Sequence, residues 1–282
     1  MSLLNTSLNQ LFAEKFEEDD LTRNLSYMQS LPAEMVECHL KIKSDLVLSG
    51  TKIFANSFNY LLNDCLDENI LKDFEGSFLA KSENHIFKFN LPFNIALTGE
   101  RIALNLLHRS CSISTMTKQF VELASPFGIS ILDTRKTTPG LRSLEKAAVV
   151  TGGGKNHRLG QTDIWMIKDN HKKIFGGLRE AVLFFQSVGG FYTPILAEIH
   201  DLEELKQAID LNIKHVMLDN FDPSDVRKAV QSKPDNITYE VSGGITLDTI
   251  SDYLISGVDA ISIGSLTSFP ERVDLSLKME RL

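Results

Sequence analysis

The chain has 282 residues, 43% of them apolar and 23% charged, and a net charge of −8. That length suits one large domain or two smaller ones, and the composition is that of an ordinary globular protein. The acidic balance excludes a surface that attracts nucleic acid as a whole, and no apolar run approaches the roughly 20 residues of a membrane span.

The N-terminus lacks the basic stretch and apolar core of a signal peptide. Cys38, Cys65 and Cys111 are far apart and form no C-x-x-C pair. This argues against a disulfide framework or a structural zinc site, and a reducing cytoplasm is expected. In chain order, Leu4, Leu8, Leu11, Phe12 and Phe16 recur at helical spacing, and Glu17–Asp20 reads as the solvated end of that helix. Residues 34–48 alternate apolar and polar like a half-buried strand. Gly50 is a break, residues 53–66 read as a second helix, and residues 70–97 as short strands, clearest at His85–Phe89. The first hundred residues therefore predict an α+β unit with a small sheet and no catalytic constellation, with His39 and His85 as surface or satisfied strand histidines. Gly99-Glu100-Arg101 opens a long helical segment. A helix start favours an acidic residue, so spacing alone makes Arg101 a surface arginine.

After Gly128 a rhythm sets in. Apolar, β-branched runs at 129–132, 163–167, 194–199, 214–218, 237–241 and 259–263 alternate with helical segments near 176–188, 202–211, 223–231 and 246–256. This predicts a parallel sheet, either open and doubly wound or closed into a barrel. Each run ends in a polar, charged or glycine residue: Asp133-Thr134-Arg135-Lys136, Lys168, Glu198, Asp219-Asn220, Ser242-Gly243-Gly244 and Gly264-Ser265. In a β/α barrel such ends converge on one mouth. The last two ends read as a phosphate site, the glycines letting backbone N–H groups approach an oxyanion where a helix starts at 246. Glu198 and Asp219 suit a hard cation such as Mg²⁺. His157, His171, His200 and His215 show no metal-ligand spacing. Lys168 at a strand end leaves a Schiff-base aldolase open. Gly152-Gly153-Gly154-Lys155 is not a P-loop, because Asn156 follows the lysine and Val149 stands where the first glycine belongs. Cations concentrated between Arg135 and Lys172 in an acidic chain point to an anion pocket.

The ordered set Gly99-Glu100-Arg101, Asp133-Thr-Arg-Lys-Thr-Thr-Pro-Gly-Leu-Arg142, Gly152-Gly-Gly-x-Asn-His-Arg158, Ile167-Lys-Asp-Asn-His171, Leu218-Asp-Asn220 and Ser242-Gly-Gly-Ile245 closely resembles the quinolinate phosphoribosyltransferases. The resemblance runs from about residue 99 to 267. It implies an α/β protein with an N-terminal α/β sandwich domain and an incomplete, TIM-like α/β barrel. The expected division is 1–112, with 270–282 a candidate to rejoin it, and 113–269. It also implies a homodimer with shared active sites, in which Arg101 of the partner subunit reaches the site. The implied reaction joins quinolinate and phosphoribosyl pyrophosphate to give nicotinate mononucleotide, pyrophosphate and CO₂ in NAD biosynthesis. On that implication Arg135, His157, Arg158 and Arg101 bind carboxylates, while Lys136 and Lys168 serve the pyrophosphate and the reacting centre. Glu198 and Asp219 hold ribose hydroxyls and Mg²⁺. Thr134 lies in the substrate loop, and the loops Ser242-Gly243-Gly244 and Ile263-Gly264-Ser265 take the 5′-phosphate.

Overall fold

The alternating segments near the N-terminus form a three-stranded antiparallel sheet. In the computed structural model, which describes residues 3–61, 66, 67 and 69–282, this sheet belongs to the first of two units. Unit 1 comprises Met1–Met116, Pro139–Gly152 and Pro270–Leu282; unit 2 comprises Thr117–Thr138 and Gly153–Phe269.

Unit 1 opens with helices α1 (Leu3–Glu18) and α2 (Leu25–Ser30). Phe12 and Phe16 of α1 are buried with Ile53, Ile102 and Leu106; the side chain of Leu4 lies outside the described residues. Strand β1 (Met35–Ile42) is flanked by β4 (Ile86–Pro92) and by the C-terminal strand Leu275–Arg281, both antiparallel to it. Val36, Cys38, Leu40 and Ile42 take the buried side of the period-two alternation. A second, minimal sheet pairs β2 (Leu46–Val47) with β3 (Phe78–Leu79). Helix α3 (Thr51–Asn59) is shorter than the 53–66 expected, and residues 62–65, Cys65 among them, lie outside the described residues. His39 and His85 are strand-associated and satisfied, 2.5 and 2.6 Å from Glu37 and Glu83.

The long helix α4 (Phe93–Ala124) starts six residues before the expected Gly99, and the expected boundary at 112/113 falls inside it. Gly99 is not a break. A Cβ there would lie 2.6 Å from a ring carbon of Phe58, so the glycine lets that ring lie against the helix. Arg101 is thus in the helix body, exposed, and the dipole argument against it lapses. Helix α5 (Arg142–Thr151) also belongs to unit 1; its fully buried Glu145 accepts from Arg109 at 2.8 and 2.9 Å.

Unit 2 holds six parallel strands: β5 (Ser130–Leu132), β6 (Trp165–Ile167), β7 (Ile195–Ile199), β8 (His215–Asp219), β9 (Thr238–Ser242) and β10 (Ala260–Ser262). Helices α6 (Asp169–Phe175), α7 (Leu178–Val188), α8 (Leu202–Asp210), α9 (Pro223–Gln231) and the single turn α10 (Ser265–Ser268) connect or follow them. The order across the sheet is β5-β10-β9-β8-β7-β6. A doubly wound sheet reverses direction at a switch point. Here the strands follow one another in cyclic order, with a seam left unpaired between β5 and β6, which is the topology of an incomplete barrel.

The expected helix at 246–256 is replaced by a 3-10 turn at Ile250–Tyr253. The Ile250 N–H donates to the Thr246 carbonyl at 2.9 Å, but the segment is rich in Thr, Ile, Asp and Ser, all poorer helix formers than Ala or Leu, and this single turn does not extend. Among the described residues no helix is long and apolar enough to cross a membrane.

Candidate active site

The C-terminal ends of the six strands surround a cavity of about 360 Å³, lined entirely by unit 2. It gathers four cationic side chains, Arg135, Lys136, Arg158 and Lys168, against two carboxylates, Glu198 and Asp219. Thr134, His157 and Ser242 complete the expected residues on its wall, and Met166, Met217 and Ser262 line it as well.

These last three are recoverable from period two. Met166, Leu196, Met217, Glu240 and Ser262 each precede a strand-end position, Lys168, Glu198, Asp219, Ser242 and Gly264, by two residues, and so share its inward face. Met166, Leu196 and Met217 pack together as an apolar cluster beneath the charged rim.

The loop after β5 is fixed by hydrogen bonds. Asp133 is fully buried; it accepts from Asn156 Nδ2 at 2.7 Å and from the His157 backbone N–H at 2.9 Å. The Lys136 N–H donates to Thr134 Oγ1 at 3.0 Å, and the Lys136 carbonyl accepts from Thr267 Oγ1 at 2.8 Å. A Cβ at Gly264 would lie 3.0 Å from Lys136 Cδ, so the glycine leaves room for the lysine stem. Arg158 donates to the carbonyls of Gln161 and Ile164 at 3.2 and 3.3 Å. Burial, then the like charge of Arg135, lowers its pKa from the usual arginine range, while Glu198, Asp163 and Glu240 counter this. Two guanidiniums that repel each other in a half-buried space form a site that gains from an anion.

Lys168 is ion-paired with Glu198, which is buried. A Schiff-base lysine is desolvated in an apolar pocket or beside another cation; Lys168 faces a carboxylate and its side chain is 45% exposed. Behind the pair, Lys172 bonds Glu204 at 2.8 Å and the Glu198 carbonyl at 3.2 Å. Burial alone would raise the Asp169 carboxyl, but Lys172 and His200 outweigh it and hold the pKa low.

Asp219 accepts from Asn220 Nδ2 at 2.8 Å, and the Asn220 N–H donates to the Ser242 carbonyl at 2.8 Å. Gly243, at φ +109°, touches Asn220 so closely that a Cβ would lie 2.7 Å from its backbone nitrogen. Folding also brings His200 beside the acids. Glu198, His200 and Asp219 each offer a ligand atom, all within 4.8 Å of one another. Two carboxylates fit a hard divalent cation held partly by substrate oxygens.

The remaining expected residues stand elsewhere. Gly243, Gly244, Ile263, Gly264 and Ser265 follow the ends of β9 and β10 without being on the wall of this cavity, and Ile263 is buried. The segment Ser242–Gly244, expected to take a phosphate at a helix start, is followed only by the 3-10 turn Ile250–Tyr253 and not by an α-helix. Arg101 belongs to unit 1.

Comparison with known proteins bears on this geometry. The family model described as quinolinate phosphoribosyl transferase, C-terminal domain, matches residues 113–278. A probable carboxylating nicotinate-nucleotide pyrophosphorylase of Bacillus subtilis is 40% identical over 97% of this chain and 92% of its own. The carboxylating nicotinate-nucleotide pyrophosphorylase of Dictyostelium discoideum is 36% identical over 86% of each chain. Among solved structures, the nicotinate-nucleotide pyrophosphorylase of Francisella tularensis superposes with a TM-score of 0.85 at 30% identity, covering 98% of this chain and 97% of that one.

Proposed function

The chain belongs to the quinolinate phosphoribosyltransferase family, and from that premise we propose how its residues perform the reaction. The enzyme transfers a phosphoribosyl group from phosphoribosyl pyrophosphate to quinolinate with loss of CO₂, giving nicotinate mononucleotide and pyrophosphate for NAD biosynthesis. The observation that carries the assignment of roles is the rim itself: four cations and two acids on one wall of a chain whose net charge is −8.

Quinolinate carries two carboxylates. Arg135 and Arg158 offer planar forks that match them, and their mutual repulsion is relieved when the dianion enters. Lys136 and Lys168 face the pyrophosphate and the reacting carbon. The pyridine nitrogen donates its lone pair to C1 of the ribose, and the C1–O bond breaks with its electrons going to pyrophosphate. Glu198 and Asp219 lie where positive charge grows on the sugar, and Asp219 and Ser242 can hold its hydroxyls. The alkylated ring is cationic, so it stabilises the electron pair left at C2 when CO₂ departs; a proton then takes that position. Glu198 and Asp219, with His200 beside them, would hold Mg²⁺, whose charge when bound offsets that of the diphosphate. Catalysis is positioning plus fixed charge, with no covalent nucleophile. The backbone after β9 and β10 would hold the 5′-phosphate.

Assembly as a homodimer supplies a role for Arg101, which lies outside the unit that holds the cavity: it would serve the partner's site. A cytoplasmic location is supported by the free, buried Cys38 and Cys111.

The reaction is tested by supplying purified protein with Mg²⁺, phosphoribosyl pyrophosphate and either quinolinate or nicotinate, and following CO₂ and mononucleotide. Turnover of nicotinate but not quinolinate overturns the substrate. Mixing Arg101→Ala subunits with Lys168→Ala subunits tests the shared site. Recovery of activity in the mixture is expected, and no recovery removes Arg101 from the partner's site.

A further inference from the structure

Behind Arg158 lies a chain of buried polar groups that the reaction as described leaves without a task. His157 and Glu240 side chains are 6% and 11% exposed, with His157 Nε2 3.2 Å from Glu240 Oε2. His157 Nδ1 accepts from the Arg158 backbone N–H at 2.7 Å. An acceptor nitrogen carries no proton, so the ring proton is on Nε2 and faces the Glu240 carboxylate. The backbone N–H of His157 itself donates to Asp133 at 2.9 Å. The segment 156–158 is therefore held by acids from two directions: Asp133 after β5 and Glu240 on β9.

A buried carboxylate is costly to desolvate, and apolar packing would hold a loop at lower cost. What a carboxylate does that an apolar side chain cannot is select one tautomer and one ring orientation. That selection leaves Nδ1 as the acceptor for the Arg158 N–H, and so sets the direction in which the Arg158 side chain leaves the backbone. It also engages both nitrogens of His157 within the protein, so the imidazole contributes to anion binding through Arg158 rather than through a nitrogen of its own.

We propose that Glu240 is a positioning residue for quinolinate, acting through the His157 tautomer on the aim of Arg158. This rests on the reading of the cavity as the quinolinate site. The effect belongs to one substrate. Loss of Glu240 should weaken quinolinate binding and leave phosphoribosyl pyrophosphate, which meets Lys136, Lys168 and the acids, little affected.

The test compares Glu240→Leu and Glu240→Gln with the wild-type enzyme, measuring both KM values and kcat. In Glu240→Leu the quinolinate KM is expected to rise at least about tenfold, the scale of a misaimed binding group, with the other KM close to wild type. Glu240→Gln, whose amide oxygen can still accept from Nε2, should recover most of the loss. A merely structural role would lower the amount of active enzyme and leave both KM values alone. Equal shifts in both KM values, no shift, or a Gln variant no better than Leu would overturn the proposal. Should the Leu variant not fold, ¹⁵N-histidine spectra of the wild type decide, with the His157 signal assigned by its loss in His157→Asn. An Nε2–H tautomer is expected, and an Nδ1–H or doubly protonated ring sinks the idea. Wild-type turnover of quinolinate separates the two levels. Without it the assigned reaction fails; with it and no KM split, only the role of Glu240 does.

Discussion

Replacing Gly243 by alanine tests the geometry around Asp219, and its neighbour Gly244 provides the control. Both glycines have positive φ, +109° and +62°, so both alanines incur the left-handed penalty of about 1–2 kcal/mol. Only one meets an obstacle. A Cβ at Gly244 has no heavy atom within 4 Å, whereas at Gly243 it lies 2.7 Å from the backbone nitrogen of Asn220. Backbone cannot rotate aside as a side chain can, so relief of that overlap adds about 1–3 kcal/mol. Gly243→Ala should therefore lose about 2–5 kcal/mol of stability and Gly244→Ala about 1–2. The displaced residue matters to function, because Asn220 donates its side-chain amide to Asp219 and its backbone N–H to the Ser242 carbonyl. A shift of that pair should cut kcat/KM for phosphoribosyl pyrophosphate roughly 10- to 100-fold in Gly243→Ala, and leave it near wild type in Gly244→Ala. Urea denaturation and steady-state kinetics on the folded fraction read the two effects separately. Equal stability losses, or a Gly243→Ala enzyme with unchanged kinetics, would refute the link between this turn and Asp219.

Three further outcomes are expected. Lys168→Met should lower kcat by about 10²–10³ at saturating substrate; a fall of less than tenfold would remove Lys168 from the reacting centre. Chelation with EDTA should abolish turnover and added Mg²⁺ restore it; persistent turnover in EDTA would dismiss the metal. Burial lowers the pKa of His108 from its ordinary 6.5, so on acidification the unfolded chain takes up that proton first. The resulting stability is fully present above 6.5 and is lost as pH falls from there through the folded value. His108→Gln should flatten that slope in urea titrations between about pH 7.5 and 5.5, and an unchanged slope would assign it to other groups.

Much of unit 2 was legible because buried parallel strands are written as continuous apolar runs. All six runs became strands within two residues of their expected limits. Their polar ends then located the rim, since a strand has one C-terminal end and a barrel has one mouth. The runs by themselves do not single out the inward partner two residues earlier; it emerges only when the period of two is counted back from each strand end. Met166 and Met217 look like core in a one-dimensional reading, and Glu240 like a stray acid. Helix limits were harder. The 246–256 segment has helical spacing, but its Thr, Ile, Asp and Ser residues are weak helix formers, and spacing carries no information about propensity. Gly99 was read as punctuation because its reason for being glycine, the ring of Phe58, is 41 positions away in sequence. Of the Glu198, His200 and Asp219 cluster, the two acids were legible as strand ends, whereas His200 shows no ligand spacing to another histidine and joins them only where β7 and β8 lie side by side.

The path of the chain has a practical corollary for anyone wishing to dissect this protein. It passes from one unit to the other at 116/117, 138/139, 152/153 and 269/270, so no single cut yields two modules. A fragment spanning 113–269 would carry Glu145 away from Arg109, stranding an acid that is fully enclosed in the intact chain. Such an excision also takes α5 from the unit that buries it, so Ala148 and Val149 on the same helix lose their cover. The portion that looks most like a portable catalyst is thus tied to its neighbour by the segment between its first two strands.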